Sequence, residues 1–242
     1  MSCYVFGPLQ SRRLGVSLGI GLIPKKTCNL NCIYCEAGET TDATCERKEY
    51  VPTKEVLAEL DAVLKTAPKL DSITFSGLGE PTLHSHIGEV VDFLKTHYPQ
   101  YRVTLLTNGL LLGDKKLQEE LRHIDLVIPS LDASCQEEFD AINRPSPAVR
   151  FEDTIQSLAD FRHQAKCRVA LELFIVPGIN DSDDAIARFA RHVKRIAPDI
   201  VQLNTLDRPG IDPQLQVAPE ATIQKFLDGI GKVAPVEAVR KK

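Results

Sequence analysis

Apolar residues recur along this chain in two alternating rhythms. Over Thr53–Leu64, Val56, Leu57, Leu60, Val63 and Leu64 share one side, the spacing of a helix. Residues 72–76, Ser-Ile-Thr-Phe-Ser, form a short buried run stopped by Gly77, which reads as a strand. The alternation then repeats. It predicts a helix over 87–94, a strand over 102–106 closed by Thr107-Asn108-Gly109, a helix over 114–121 and a strand over 126–131. Next come a helix over 151–163 with Ile155, Leu158 and Phe161 at core spacing, and a β-rich run over 168–176 ending in Pro177-Gly178. A helix over 183–196, a strand over 200–203 and a closing helix over 219–230 complete it, with Pro219-Glu220 as a good first turn. An extended segment over 16–23 precedes them all.

About six strands thus alternate with helices, which predicts an α/β fold with a parallel sheet and helices outside. The strands are short and rich in Ile, Val, Leu and Phe, as buried parallel strands are. One domain over 1–242 accommodates them. Its core runs from about 15 to 205, with an N-terminal extension over 1–14 and a closing helix over about 219–232. Six units suit a partial barrel or a doubly wound sheet, and either architecture puts chemistry at the carboxyl ends of the strands.

Composition narrows the setting. Hydrophobic residues make up 43% and charged residues 26% of the 242, ordinary globular usage. The net charge of −4 gives no global basic footprint for nucleic acid. No stretch reaches the roughly 18 apolar residues of a membrane span, and Met1 to Pro8 does not read as a secretory signal. A cytoplasmic location without membrane contact is expected. Seven cysteines are too few and too uneven for a secreted disulfide scaffold. Cys3, Cys45, Cys135 and Cys167 are scattered and read as structural or incidental.

Cys28, Cys32 and Cys35 are clustered in Lys26-Thr27-Cys28-Asn29-Leu30-Asn31-Cys32-Ile33-Tyr34-Cys35, after the first extended segment. Three thiols at spacings of four and three can aim at one centre. Soft thiolates favour zinc or iron–sulfur, and a three-ligand set leaves a coordination position open. A structural zinc site completed by a distant Cys or His, such as Cys45, is the competing reading. Zinc ribbons and fingers normally build from two ligand pairs, however, and only one set is present.

This Cys-x-x-x-Cys-x-x-Cys run, with an aromatic before its last Cys, resembles the signature of the radical S-adenosylmethionine (SAM) superfamily. The resemblance covers roughly 15–205 and implies a partial (β/α)6 TIM-like barrel of parallel strands. It implies a [4Fe-4S] cluster on Cys28, Cys32 and Cys35, whose open iron is chelated by SAM. Electron transfer would then yield methionine and a 5′-deoxyadenosyl radical that abstracts hydrogen from a substrate. An electron donor such as flavodoxin or ferredoxin is implied as a partner. Tyr34 would lie near the adenine.

Later strand ends extend the resemblance. Gly77-Leu78-Gly79-Glu80 resembles the superfamily's Gly-Gly-Glu segment, which holds the methionyl amino group, with Leu78 intervening here. Its two glycines allow close backbone approach, and its carboxylate is expected to point into the site. Asn108 stands in a strand-closing motif common in the superfamily, although an Asn-Gly turn also explains it. Ser130 and Asp132 share a face and suit the SAM ribose or carboxylate. Asp132, at the end of an apolar strand, needs a partner. Arg144 suits the SAM carboxylate. Val176, in Ile175-Val176-Pro177-Gly178-Ile179-Asn180-Asp181, lies in a segment resembling the adenine-contacting one, and Gln202 and Asn204 share a face towards adenine or substrate.

Residues 6–15 and 47–52 also resemble a group of small prokaryotic iron–sulfur oxidoreductases related to the wyosine-tRNA synthesis enzymes. Arg12, Arg13, Lys25 and Lys26 form a local basic region that suits an anionic substrate, or a solvated face with reductant docking. Three function classes follow: an enzyme acting on a small molecule, a tRNA-modifying or glycyl-radical-activating enzyme, and a non-catalytic zinc or iron–sulfur module. Acidic net charge disfavours RNA.

Overall fold

The computed structural model describes residues 4–24, 26–147 and 149–240; Cys3 and Lys25 lie outside them. Ten strands occur among the described residues: β1 (Val5–Ser11), β2 (Gly15–Ile20), β3 (Thr27–Cys28), β4 (Asp42–Ala43), β5 (Ser72–Phe75), β6 (Val103–Thr107), β7 (Leu126–Pro129), β8 (Arg168–Phe174), β9 (Ile200–Asn204) and β10 (Val236–Ala238). The helices are α1 (Thr53–Leu64), α2 (Ile87–His97), α3 (Lys115–Glu120), α4 (Gln136–Ile142), α5 (Phe151–Gln164), α6 (Asp183–Ile196) and α7 (Glu220–Ile230).

Eight strands form one sheet in the order β1-β2-β5-β6-β7-β8-β9-β10. Every neighbouring pair from β2 to β10 is parallel, and only β1 runs antiparallel to its neighbour. The two end strands, β1 and β10, are edges, so the barrel is partial. The six strands legible in the sequence are β2 and β5 to β9. The hairpin strand β1, the closing β10, the β3–β4 ladder and α4 are additions. Their apolar positions are too few to show a period: β1 contains Gly7-Pro8 and a bulge, and α4 has seven residues.

The strands have two distinct faces. Ile73, Phe75, Val103, Leu105, Val127, Leu171, Leu173, Val201 and Leu203 join the main core, together with α1 residues Val56, Leu60 and Leu64 and α6 residues Phe189 and Val193. Alternate positions face inward. Near the amino ends of the strands, Leu14 of the β1–β2 turn packs on Leu126, Ile128 and Ala170, with Leu106 and Ile200 beside them. Polar side chains share the inward face with this apolar cluster. Ser17 Oγ meets Thr74 Oγ1 at 2.7 Å, and Ser72 Oγ meets Thr104 Oγ1 at 2.8 Å. Glu172 accepts from Asn204 Nδ2 at 3.1 Å. A barrel filled only for stability carries layers of branched apolar side chains. This interior is hollow and mixes polar with apolar side chains.

Local chemistry sets where elements begin and end. Pro129 closes β7, since proline cannot donate to a ladder. Asp114 caps α3, its carboxylate accepting from Lys116 N at 2.7 Å. Ser182 caps α6, accepting from Ala185 N at 3.1 Å.

Candidate active site

The cysteine loop leaves β2 and is pinned at two ends. Thr27–Cys28 pairs with Asp42–Ala43 as a short parallel ladder. At the other end, Asn31 N and Ile33 N each donate at 2.9 Å, to the carbonyls of Asn143 and Ile142. Those carbonyls close α4 and have no partner within it, so the loop satisfies a helix terminus. The thiols of Cys28, Cys32 and Cys35 are all free, with Cys28 buried and the other two half-buried. Burial pushes the Cys28 thiol up to about 11, with the Glu80 charge adding to it. Burial and the Asp132 charge raise Cys32 further. Lys26 faces all three sulfurs. Burial works against its ammonium, yet the attraction of Cys35, Cys28 and Cys32 leaves it raised overall.

Two side-chain amides approach the sulfurs. Asn143 Nδ2 lies 3.3 Å from Cys32 Sγ, and Asn108 Nδ2 lies 3.7 Å from Cys28 Sγ. Asn108 also donates to Asn29 Oδ1 at 2.5 Å. Its backbone N–H reaches Glu80 Oε2 at 2.8 Å. Glu80 is buried, and its other oxygen accepts from Thr82 N at 3.1 Å, Thr82 Oγ1 at 2.6 Å and Thr107 Oγ1 at 2.6 Å. Burial raises its carboxyl, and these donors oppose the rise. Glu80 therefore ties the turn after β5 to the end of β6 rather than pointing freely into the site.

The two glycines before it do different things. Gly77 has φ +127, a conformation that disfavours a side chain although space is available. Gly79 needs the space, because a Cβ there would overlap the Thr27 carbonyl oxygen and Ile23 Cγ2. It lets the β5 turn press directly on the cysteine loop, where Glu80 N also donates to Thr27 O at 3.2 Å.

Asp132 is the second hub. Its Oδ2 accepts from Tyr34 Oη at 2.5 Å and from Asn143 Nδ2 at 2.8 Å, and its buried Oδ1 has no partner. Burial pushes its carboxyl up to about 6 against those bonds. Tyr34 stacks on Phe174 with centroids 4.0 Å apart. Ser130 joins Asp132, Asn108 and Asn143 around a small crevice. Asn180 fastens the loop after β8, donating to the carbonyls of Asp132 and Phe174 at 2.8 Å each and accepting from Val176 N at 2.8 Å.

A cavity of about 1010 Å³ occupies the barrel interior and opens beside the loop. Leu14, Ser17, Thr74, Leu106, Glu172 and Asn204 line it, and Tyr34, Cys35 and Gly77 line it on the side of the cysteine loop. Three ion pairs brace it. Arg13 contacts Glu172 inside, Arg12 faces Asp207 at 3.6 Å, and Arg208 meets Glu36 at 3.2 Å. Of the basic region read from the sequence, Arg12 and Arg13 are each paired with a carboxylate, Lys26 faces the sulfurs, and Lys25 lies outside the described residues.

The family model of the radical SAM superfamily matches residues 22–190. The chain belongs to the radical SAM superfamily. It is 39% identical over 206 residues to a Brachyspira hyodysenteriae protein named GTPase Obg, covering 84% of this chain and 30% of that protein. It is 34% identical over 208 residues to a UPF0026 protein of Helicobacter pylori, covering 85% of this chain and 67% of that one. Among solved structures, a radical SAM methyltransferase from Sphaerobacter thermophilus superposes with TM-score 0.73 at 18% identity, over 92% of this chain and 65% of that one. A structure of TYW1 with a lysine-pyruvate adduct superposes with TM-score 0.63 at 17% identity, over 90% and 74%. At those identities the structures speak for the fold alone, and they bear out the partial barrel.

Radical SAM membership implies a four-iron cluster and SAM, and the residues fit both. Three soft thiols share one pinned loop, two amide donors approach them, and a lysine offsets thiolate charge. Cys45, the candidate fourth zinc ligand, is exposed. The unpaired Asp132 Oδ1 beside Tyr34 is an acceptor waiting for a donor.

The residues singled out in the sequence divide into groups. Tyr34, Gly77 and Asn204 line the large cavity, while Asn108, Ser130 and Asp132 line the crevice. Gly79 and Glu80 support the loop from beneath. Val176 is buried in an apolar cluster with Ile33, Ile142 and Phe174, so only its backbone is polar there. Arg144 is exposed in a left-handed conformation, φ 45, and lines neither cavity nor crevice. Its neighbour Asn143 is the residue that reaches the site. Asn143, Phe174 and Glu172 escaped the sequence reading. The signal for Asn143 is faint: a short amide side chain at a helix end, beside an arginine that draws the eye.

Proposed function

We propose that this protein is an iron–sulfur oxidoreductase of the radical SAM type, with Cys28, Cys32 and Cys35 as thiolate ligands of a [4Fe-4S] cluster. Such a cluster, once reduced, supplies an electron for cleavage of SAM to methionine and a 5′-deoxyadenosyl radical that takes hydrogen from a substrate. The observation that carries this reading is the pinned loop of three free thiols, with Cys35 at the mouth of a hollow barrel.

The chain's own groups have separable tasks. Glu80 and Gly79 set the height of the loop. Asp132 offers its unpaired Oδ1 to a hydroxyl or ammonium of SAM, while its Oδ2 fixes Tyr34. The stacked Tyr34 and Phe174 rings give an apolar surface for adenine. Gly77 opens backbone carbonyl and N–H groups to the cavity, Asn204 adds an amide to its wall, and Ser130 and Asn108 line the crevice beside Asp132. The interior below, ringed by Ser17, Thr74 and Glu172, receives the substrate away from bulk water, which would quench a carbon radical's selectivity.

Anaerobic reconstitution with iron and sulfide, then dithionite and SAM, tests the reading. Formation of 5′-deoxyadenosine, abolished in Cys32→Ala, is the expected result. Binding of zinc alone with no cleavage would leave only a binding module. Mass spectrometry of metabolites, tRNA and protein from a deletion strain would then sort small-molecule from macromolecular substrates.

A further inference from the structure

Asn143 is held more firmly than a helix-end side chain requires. It is 2% exposed. Its N–H donates to Phe139 O at 2.8 Å, and its carbonyl accepts from Asn31 N at 2.9 Å, inside the cysteine loop. One amide group, Nδ2, then reaches both Asp132 Oδ2 at 2.8 Å and Cys32 Sγ at 3.3 Å. The neighbours fix which end of the amide faces them. A flipped carboxamide would set its oxygen against the Asp132 carboxylate, which cannot donate to it when ionised, and would take the donor away from a cluster-bound thiolate. Asp132 is itself anchored by Tyr34. A continuous chain, Tyr34–Asp132–Asn143–Cys32, therefore runs from the cavity wall to one sulfur.

Asn108 provides an internal comparison. Its Nδ2 stands farther from its sulfur, 3.7 Å, and its better bond is to Asn29 Oδ1 at 2.5 Å. The two amides are thus unequal donors to the loop.

We propose that Asn143 is a positioning residue that raises the reduction potential of the cluster through an N–H···S bond to Cys32, with Asp132 holding the donor in place. This rests on the reading that Cys32 ligates a four-iron cluster. Hydrogen bonds to ligand sulfur draw off electron density and favour the reduced form, a lever the protein holds independently of the cluster's own chemistry.

The test is a potentiometric titration of the reconstituted full-length protein without SAM, followed by EPR of the reduced cluster. Asn143→Leu should shift the midpoint to a more negative potential at undiminished iron content. Asn143→Gln, which keeps the amide one methylene away, should recover part of the shift, and Asn108→Leu should shift it less. An unmoved midpoint in Asn143→Leu at full iron content overturns the inference. Should Asn143→Leu lose the cluster, Asn143→Gln decides: its midpoint should fall part of the way at full iron content, and an unmoved midpoint overturns the inference. A wild-type protein that assembles no four-iron cluster would sink the underlying reading, and this inference with it. The titration can sink the inference alone.

Discussion

The two sides of the barrel mouth are built on different principles. On the side of β5 to β8, the cysteine loop is held by buried hubs with short bonds: Glu80 takes three donors on one oxygen and a fourth on the other, and Asp132 binds Tyr34 and Asn143. On the side of the β1–β2 hairpin and the segment after β9, the cavity is braced by ion pairs that become more exposed towards the rim, from Arg13–Glu172 inside to Arg208–Glu36 outside. Buried hydrogen-bond hubs hold one geometry, because any departure strands a polar group. Rim ion pairs are cheap to open. Under the proposed function, the difference teaches that geometry is fixed where the first chemical step would occur and adjustable where a substrate would enter.

The largest effect should come from the strongest hub. Glu80→Ala strands Thr82 N, Thr107 Oγ1 and Asn108 N, at about 1–3 kcal/mol each. Urea denaturation of the cluster-free protein should show a loss of about 4–6 kcal/mol, with less iron retained on reconstitution. Glu80→Gln should lose less.

Next comes the innermost brace. Arg13→Met leaves Glu172 half-paired in a polar interior and should cost about 3–4 kcal/mol. Arg13→Met combined with Glu172→Leu should recover part of that, measured in the same denaturation series. If the single change were silent, Arg13 would belong with the rim and the two sides would differ less than described.

Asp132 gives a pH-dependent test on the cluster side. Its carboxyl is raised from 3.8 to about 6 in the fold, so the folded state holds its proton more tightly than the unfolded chain. The associated stability is fully present below the unfolded value and is lost as pH rises through about 6. The shift corresponds to about 3 kcal/mol at full ionisation. Asp132→Asn should therefore gain on the wild type as pH rises from 4 to 7 in the cluster-free protein, while weakening SAM binding in the loaded one. A stability difference that stays flat with pH would place the ionised carboxylate in a more favourable environment than the geometry indicates.

The smallest effect belongs to the rim. Arg208→Ala should cost under about 1 kcal/mol. It should leave the iron content alone, and binding of whatever enters the cavity should change more than stability does.

Much of this contrast was legible in the sequence on one side only. The thiol spacing, the Gly77-Leu78-Gly79-Glu80 turn, Asn108 and Asp132 stand at strand ends in continuous motifs, so chain order alone placed them near one another. The direction of Glu80 was not legible, because its donors Thr107 and Asn108 come from another strand end. Arg13 and Glu172 are 159 positions apart by subtraction, and only closure of the barrel brings them together. Strand β1, with Gly7-Pro8 and a bulge, shows no clean alternation. The polar belt stayed hidden because Ser17, Thr74 and Thr104 are common in strands on any face.

The most direct measurement is the EPR spectrum of the anaerobically reduced, reconstituted protein with and without SAM. The account predicts a four-iron signal that Cys28→Ala, Cys32→Ala and Cys35→Ala each remove, and that changes shape when SAM is added. A signal indifferent to SAM, or one that survives loss of any of the three cysteines, would contradict it.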